Sequence, residues 1–440
     1  MNTGLPKQVS AVTGAPMGSK GAMGLRSDHD AGVERTVLPN GLTVVSERVP
    51  GVRSVAIGAW VRSASIHETP AEMGVSHMLE HLCFKGTERR TAKEIASALE
   101  SLGGSLDAYT SREHIAFQAR VLDEHLPQAV DVLADVMFRP LLRDEDLQLE
   151  RKVVLEEISM VDDTPDDIVF ELHNSALWGD HPYGYSILGT RATVSSLSAE
   201  SVRALHKRAF TPSNVVVGAA GHIPHDRLID ALLTAGWGDL PRSVSPAVSP
   251  PPPVQAAPGM RHVSRDSAQA HIVVGSATVP HADPRRHALI VVDTLLGGGM
   301  SSRLFQRVRE ELGLAYSIYA FQSFNHDAGS HGVYAGTAPE SAEQTLEAIR
   351  TELSRIATDA ITAEELALAK QQLKGQITLS MESVHSRMYR AAAVDLFDEP
   401  WLPLDDLLAQ VDAVTLDVAR DVCTTFFQPD QLTGVHLGPG

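Results

Sequence analysis

The chain has 440 residues, 37 Lys and Arg against 55 Asp and Glu, a net charge of −18, 19 His and 2 Cys. At about 100–200 residues per domain, this length holds roughly two to four domains. The acidic balance excludes sequence-independent nucleic-acid binding, which needs clustered cations. Two cysteines build no disulfide framework, and no run of about 18 apolar residues exists to span a membrane. A cytoplasmic protein is expected.

Residues 1–32 are rich in Gly, Ser, Ala and Met and lack the apolar segment of a secretory signal, so a disordered tail is expected. The apolar run Ser54–Val61 reads as a strand. Glu72–Leu82 reads as a helix carrying His77-x-x-Glu80-His81. Two histidines four apart leave one helix face one turn apart, where both can reach one Zn2+ at about 2.0–2.1 Å. Glu80 borders that face and can take a proton from a water there. Leu106–Arg120 alternates like a strand. The helical stretch 145–158, EDLQLERKVVLEEI, follows Asp144 as a plausible N-cap. Its Glu150 and Glu157 are seven apart and share a face, whereas Glu156 points about 100° away. One of the pair is expected to complete the metal site and the other to support it.

The uncharged segment 243–258, SVSPAVSPPPPVQAAP, reads as an extended linker between residues 33–242 and 259–440. The second part repeats the first. Ala270–Thr278 matches the strand Ser54–Val61. The stretch 364–377 matches 145–158, with Thr362 as its N-cap. The stretch 411–438 matches 194–221, each with a helix, an aromatic, a Pro turn and a strand. Gly297-Gly298-Gly299 lacks the Lys-Ser/Thr of a phosphate loop and reads as a turn. The expected fold is α+β: two homologous units, each a mainly antiparallel sheet with helices on one face. The repeat also acts as a control, because Ala369 stands at the place of Glu150 and Gln376 at that of Glu157. No H-x-x-E-H follows residue 259. A metal site is therefore expected in the first unit alone.

H-x-x-E-H is the inverzincin signature. With HMLEHLCFKGT at 77–87, LGGSLDAYTSREHIAF at 102–117, ERKVVLEEI at 150–158 and LGGGMSSRLFQRVREELGLAYS at 296–317, the chain resembles the pitrilysin-like zinc metallopeptidases, in their short processing-peptidase branch. The resemblance implies that His77, His81 and Glu157 bind Zn2+, Glu80 is the general base and Glu150 supports the site. It also implies that Arg309 and Tyr316 contact substrate near the scissile bond. The strand holding Asp107, Ala108 and Tyr109 is implied to pair with the substrate backbone. Asp107 replaces the family's Asn and has no side-chain amide to donate. The implied activity is endoproteolysis of peptides or unfolded protein segments by a homodimer, or by a heterodimer with a non-catalytic homologue. The rival readings are a non-catalytic assembly or binding subunit of the same fold and another metal-dependent hydrolase. Cys83, His114, His173 and His181 are expected to be structural.

Overall fold

Every residue of Ser54–Val61 after the first is buried, so water reaches neither face of this strand. The computed structural model describes residues 33–242, 250, 252–358 and 361–439. The tail 1–32 and most of the first half of the linker lie outside the described residues. Strands Val33–Val37 (β1), Thr43–Arg48 (β2), Ser54–Val61 (β3), Ser105–Thr110 (β4), Ile115–Leu122 (β5) and Val215–Gly221 (β6) form one sheet in the order β1-β2-β6-β3-β5-β4. Strands Gly259–Ser264 (β7), Ala270–Thr278 (β8), Ala315–Phe324 (β9), Gly329–Thr337 (β10) and Thr433–Gly438 (β11) form a second, β7-β11-β8-β10-β9. The pairs β2–β6 and β7–β11 run parallel and the other pairings are antiparallel. The second order reproduces the first without β1, so β3 corresponds to β8, β5 to β10 and β4 to β9.

Helices do not lie on one face only. One face of the first sheet packs on helices of its own unit, with Leu79, Leu82, Val130 and Leu133 in the shared core. The other face is covered by helix Val384–Leu396 from the second half, whose Val384, Met388 and Ala392 meet Ala56, Trp60, Val216 and Ala220. Gly218 permits this approach, since a Cβ there would lie 2.9 Å from Ala392 Cβ and 3.0 Å from the Met388 carbonyl. The exchange is reciprocal: helix Pro165–Trp178 of the first half sets Val169 against Val273, Tyr334 and Val435 of the second sheet. Continuously apolar strands demand cover on both sides, and each half supplies the outer cover for the other. Arg35 pairs with Asp395 at 2.7 Å across this join, and Arg387 pairs with Glu47.

Local boundaries also differ from expectation. The stretch 106–120 is a hairpin, not one strand, because Ser111 Oγ accepts from the amides of Glu113 and His114 and turns the chain. Arg143, not Asp144, stands at the N-cap of helix Asp144–Asp163; Asp144 is its first residue. Thr362 does cap helix Ala363–Ser380 and forms a capping box with Glu365. Among the described residues no helix is long and apolar enough to cross a membrane.

Candidate metal centre

The site begins before its first donor. Helix Val75–Cys83 follows Gly74, whose φ of 89° suits glycine and whose Cβ, if present, would lie 2.6 Å from the Leu188 carbonyl. The buried Glu68 carboxylate accepts from the amides of Gly74 and Ser76, both at 2.8 Å, and so satisfies the start of the helix. Burial pushes the Glu68 carboxyl up to about 7. Met78, Leu79 and Leu82 anchor the apolar side of the helix in the core, which leaves His77, Glu80 and His81 on the other side.

The imidazoles of His77 and His81 lie 4.5 Å apart between ring centroids. Glu157 comes from helix Asp144–Asp163, which is held by buried Leu147, Val154 and Ile158. Its Oε2 lies 3.7 Å from Nε2 of both histidines. Ligands at about 2.0–2.1 Å from one tetrahedral ion stand roughly 3.3 Å apart, so this spacing suits a shared cation. Two further facts test the fit. Glu157 Oε2 is buried and receives no hydrogen bond. Burial, with help from His81, depresses the His77 imidazole to about 3, so the ring beside it is neutral. A buried carboxylate oxygen without a partner between imidazole nitrogens suits a cation, and two His with one carboxylate suit Zn2+. Among the described residues this is the one such group of three His, Cys, Asp or Glu donors.

Glu150 acts through His81. Its Oε2 lies 3.1 Å from His81 Nδ1 and its Oε1 lies 2.7 Å from Lys85 Nζ. An acceptor at Nδ1 holds the proton there and turns the Nε2 lone pair towards the cluster. Glu80 is held from β4, where Thr110 Oγ1 donates to its Oε2 at 2.5 Å. Burial raises the Glu80 carboxyl above its ordinary value, opposed by the Thr110 hydrogen bond.

Comparison with known proteins identifies the family. Residues 43–191 match the profile described as insulinase (peptidase family M16), and residues 196–373 match the M16 inactive domain. An uncharacterized zinc protease of Streptomyces coelicolor is 40% identical over 90% of this chain and 89% of its own. The uncharacterized zinc protease YmxG of Bacillus subtilis is 38% identical over 90% and 96%. The chain belongs to peptidase family M16. A protease from Helicobacter pylori shares the fold, with a TM-score of 0.86 at 22% identity over 92% of this chain and 99% of that one.

Other residues of this M16 chain take varied places. Asp107, Ala108 and Tyr109 lie on β4, an edge strand of the first sheet, so one backbone edge of the strand is unpaired within the sheet. The Tyr109 hydroxyl accepts from Trp60 Nε1 at 3.1 Å. Arg309 and Tyr316 come together, with the guanidinium 5.2 Å from the Tyr316 ring and 4.6 Å from that of Phe305. Among the described residues neither has a hydrogen bond, ion pair or ring contact with His77, Glu80, His81 or Glu157. Tyr316 is 77% exposed. Cys83 is buried and its thiol is pushed up by burial. His114 meets the Tyr109 hydroxyl, His173 the Thr433 carbonyl and His181 the Tyr183 amide. Gly297 sits where a Cβ would strike the Ala320 backbone, and the following turn is held by Gln372 donating to the Gly298 carbonyl. Sequence reasoning missed Glu68, Lys85 and Thr110. The linear signals for them are weak, a carboxylate ahead of a glycine before a helix and a threonine ending a strand.

Proposed function

We propose that the chain is a zinc-dependent endopeptidase acting on unfolded peptides or protein segments in the cytoplasm. The observation that carries this reading is the His77–His81–Glu157 cluster with the Glu80 carboxylate held beside it by Thr110. When bound, Zn2+ supplies Lewis acidity to the scissile carbonyl and to water. Glu80 takes a proton from the attacking water and passes it to the leaving amine, a task helped by burial that strengthens its hold on a proton. Glu150 and Lys85 hold the His81 ring in place. The free edge of β4 aligns the substrate backbone, with Asp107 offering only acceptors.

Arg309 and Tyr316 are read as substrate contacts supplied across a homodimer. The lack of any contact with the donors of their own chain among the described residues and the exposure of Tyr316 support that reading. In a heterodimer with a non-catalytic homologue, the homologue's own equivalent residues would have to make these contacts.

The test is metal analysis with cleavage of an unfolded-peptide library, beside a sizing column. One zinc per chain, dimeric elution and a loss of about 10²–10⁴-fold in Glu80→Gln with zinc retained are expected. Wild type without zinc, or Glu80→Gln as active as wild type, sinks the reading. Peptide binding without cleavage would mark a non-catalytic subunit instead.

A further inference from the structure

Strands β4 and β9, each at one edge of its sheet, end in equivalent hairpins of the repeat, and the hairpin tips touch. β4 turns into β5 through residues 111–114, and β9 turns into β10 through residues 325–328. Glu113 at the first tip accepts from the His326 amide of the second, at 2.9 Å on one oxygen and 3.1 Å on the other. It also accepts from the Tyr183 hydroxyl at 2.8 Å. That hydroxyl oxygen accepts from the Asp327 amide at 3.3 Å. Ala328 of the second tip is buried with Ile66, Leu177, Trp178 and Tyr183 of the first half. A turn carboxylate that serves donors from a distant hairpin fastens the two hairpins, because charge-assisted bonds are the strong ones.

The first tip is also pinned within its own half. Arg112 donates to the Tyr185 carbonyl at 2.7 Å, and the Ile66 amide to the Arg112 carbonyl at 2.9 Å. Thr110 stands at the end of β4, three residues before Glu113, and its hydroxyl holds Glu80. A strand end that frays would let this hydroxyl swing away.

We infer that Glu113 is a positioning residue: by joining the two hairpin tips it fixes the end of β4, and with it the Thr110 hydroxyl that orients Glu80. The consequence for catalysis rests on the peptidase reading above; the fastening itself does not.

The test uses the full-length chain and two readouts. Hydrogen exchange of the β4 amides is expected to quicken about 10–100-fold in Glu113→Ala and to stay unchanged in Thr110→Val. Thr110→Val is expected to lower kcat about tenfold or more with little change in KM, and Thr110→Ser to restore it. Glu113→Ala is expected to lower kcat as well, and the double variant to lose less than the product of the two single losses. Unchanged β4 exchange in Glu113→Ala, or fully multiplicative losses, overturns the inference. Should Glu113→Ala fail to fold, Tyr183→Phe removes one donor and must give a smaller shift of the same sign in both readouts. If wild type cleaves nothing, the peptidase reading fails, while β4 exchange still decides whether Glu113 fastens the tips.

Discussion

Helices Asp144–Asp163 and Ala363–Ser380 hold matching places in the repeat and bury matching residues, Leu147 with Leu366 and Val154 with Leu373. Between them lies Glu150 in one helix and Ala369 in the other, both buried. Glu157 faces two histidines, whereas Gln376 is exposed. Opposite the second helix, Arg286–Gly297 sends Val292, Leu295 and Leu296 into an apolar core and presents no histidine pair. The fold therefore needs the apolar ledge alone. Acids at these two positions are a cost accepted in one copy, where Lys85 and His81 meet Glu150 and a cation can meet Glu157.

The largest effect should come from exchanging these acids. Glu157→Ala is expected to take zinc from one per chain to none and to abolish cleavage. The pair Ala369→Glu and Gln376→Glu should create no second zinc site and destabilise the chain by about 3–5 kcal/mol, because one carboxylate enters the core without a cation. Metal analysis and denaturant titration check both, and a second equivalent of bound zinc would break the comparison. Glu150→Ala keeps the donors and frees the His81 ring. A loss of about 10–100-fold in zinc affinity is expected, read by competition with a chelator.

A third test concerns pH. The Glu68 carboxyl is raised from 4.5 to about 7 in the folded chain. A carboxyl with a raised folded pKa contributes its stability below the unfolded value and loses it as pH rises through the folded one. Relative to Glu68→Gln, wild type should lose about 3 kcal/mol between roughly pH 4.5 and 7. Urea midpoints of both proteins across that range give the answer, and parallel curves would refute it. The smallest effect separates the two helix starts. Thr362→Ala should cost about 1 kcal/mol because a true cap is lost. Asp144→Ala should stay within about 0.5 kcal/mol, since Asp144 caps nothing.

Much of the metal centre was legible because helical spacing is local. His77 and His81 are one turn apart, Glu150 and Glu157 nearly two, and neither relation depends on where the helix docks. The duplicated helix, aromatic, Pro turn and strand were legible for the same reason. Thr110, Glu68 and Glu113 were not, because each acts through a loop or hairpin end whose aim no periodicity records. The turn at 111–114 holds no glycine or proline, so two strands read as one. Helices Pro165–Trp178 and Val384–Leu396 show apolar faces, but an apolar face does not name the sheet it will cover.

The sequence by itself determined the α+β duplication, the single copy that carries the donors and the face on which they stand. Those properties follow from residue spacing within one element. The tertiary structure alone decided that each half covers the other's sheet, that Thr110 reaches Glu80 over 30 positions and that Glu113 reaches His326 over 213. Such contacts are set by chain closure and by the packing of whole sheets, which no short window of residues encodes.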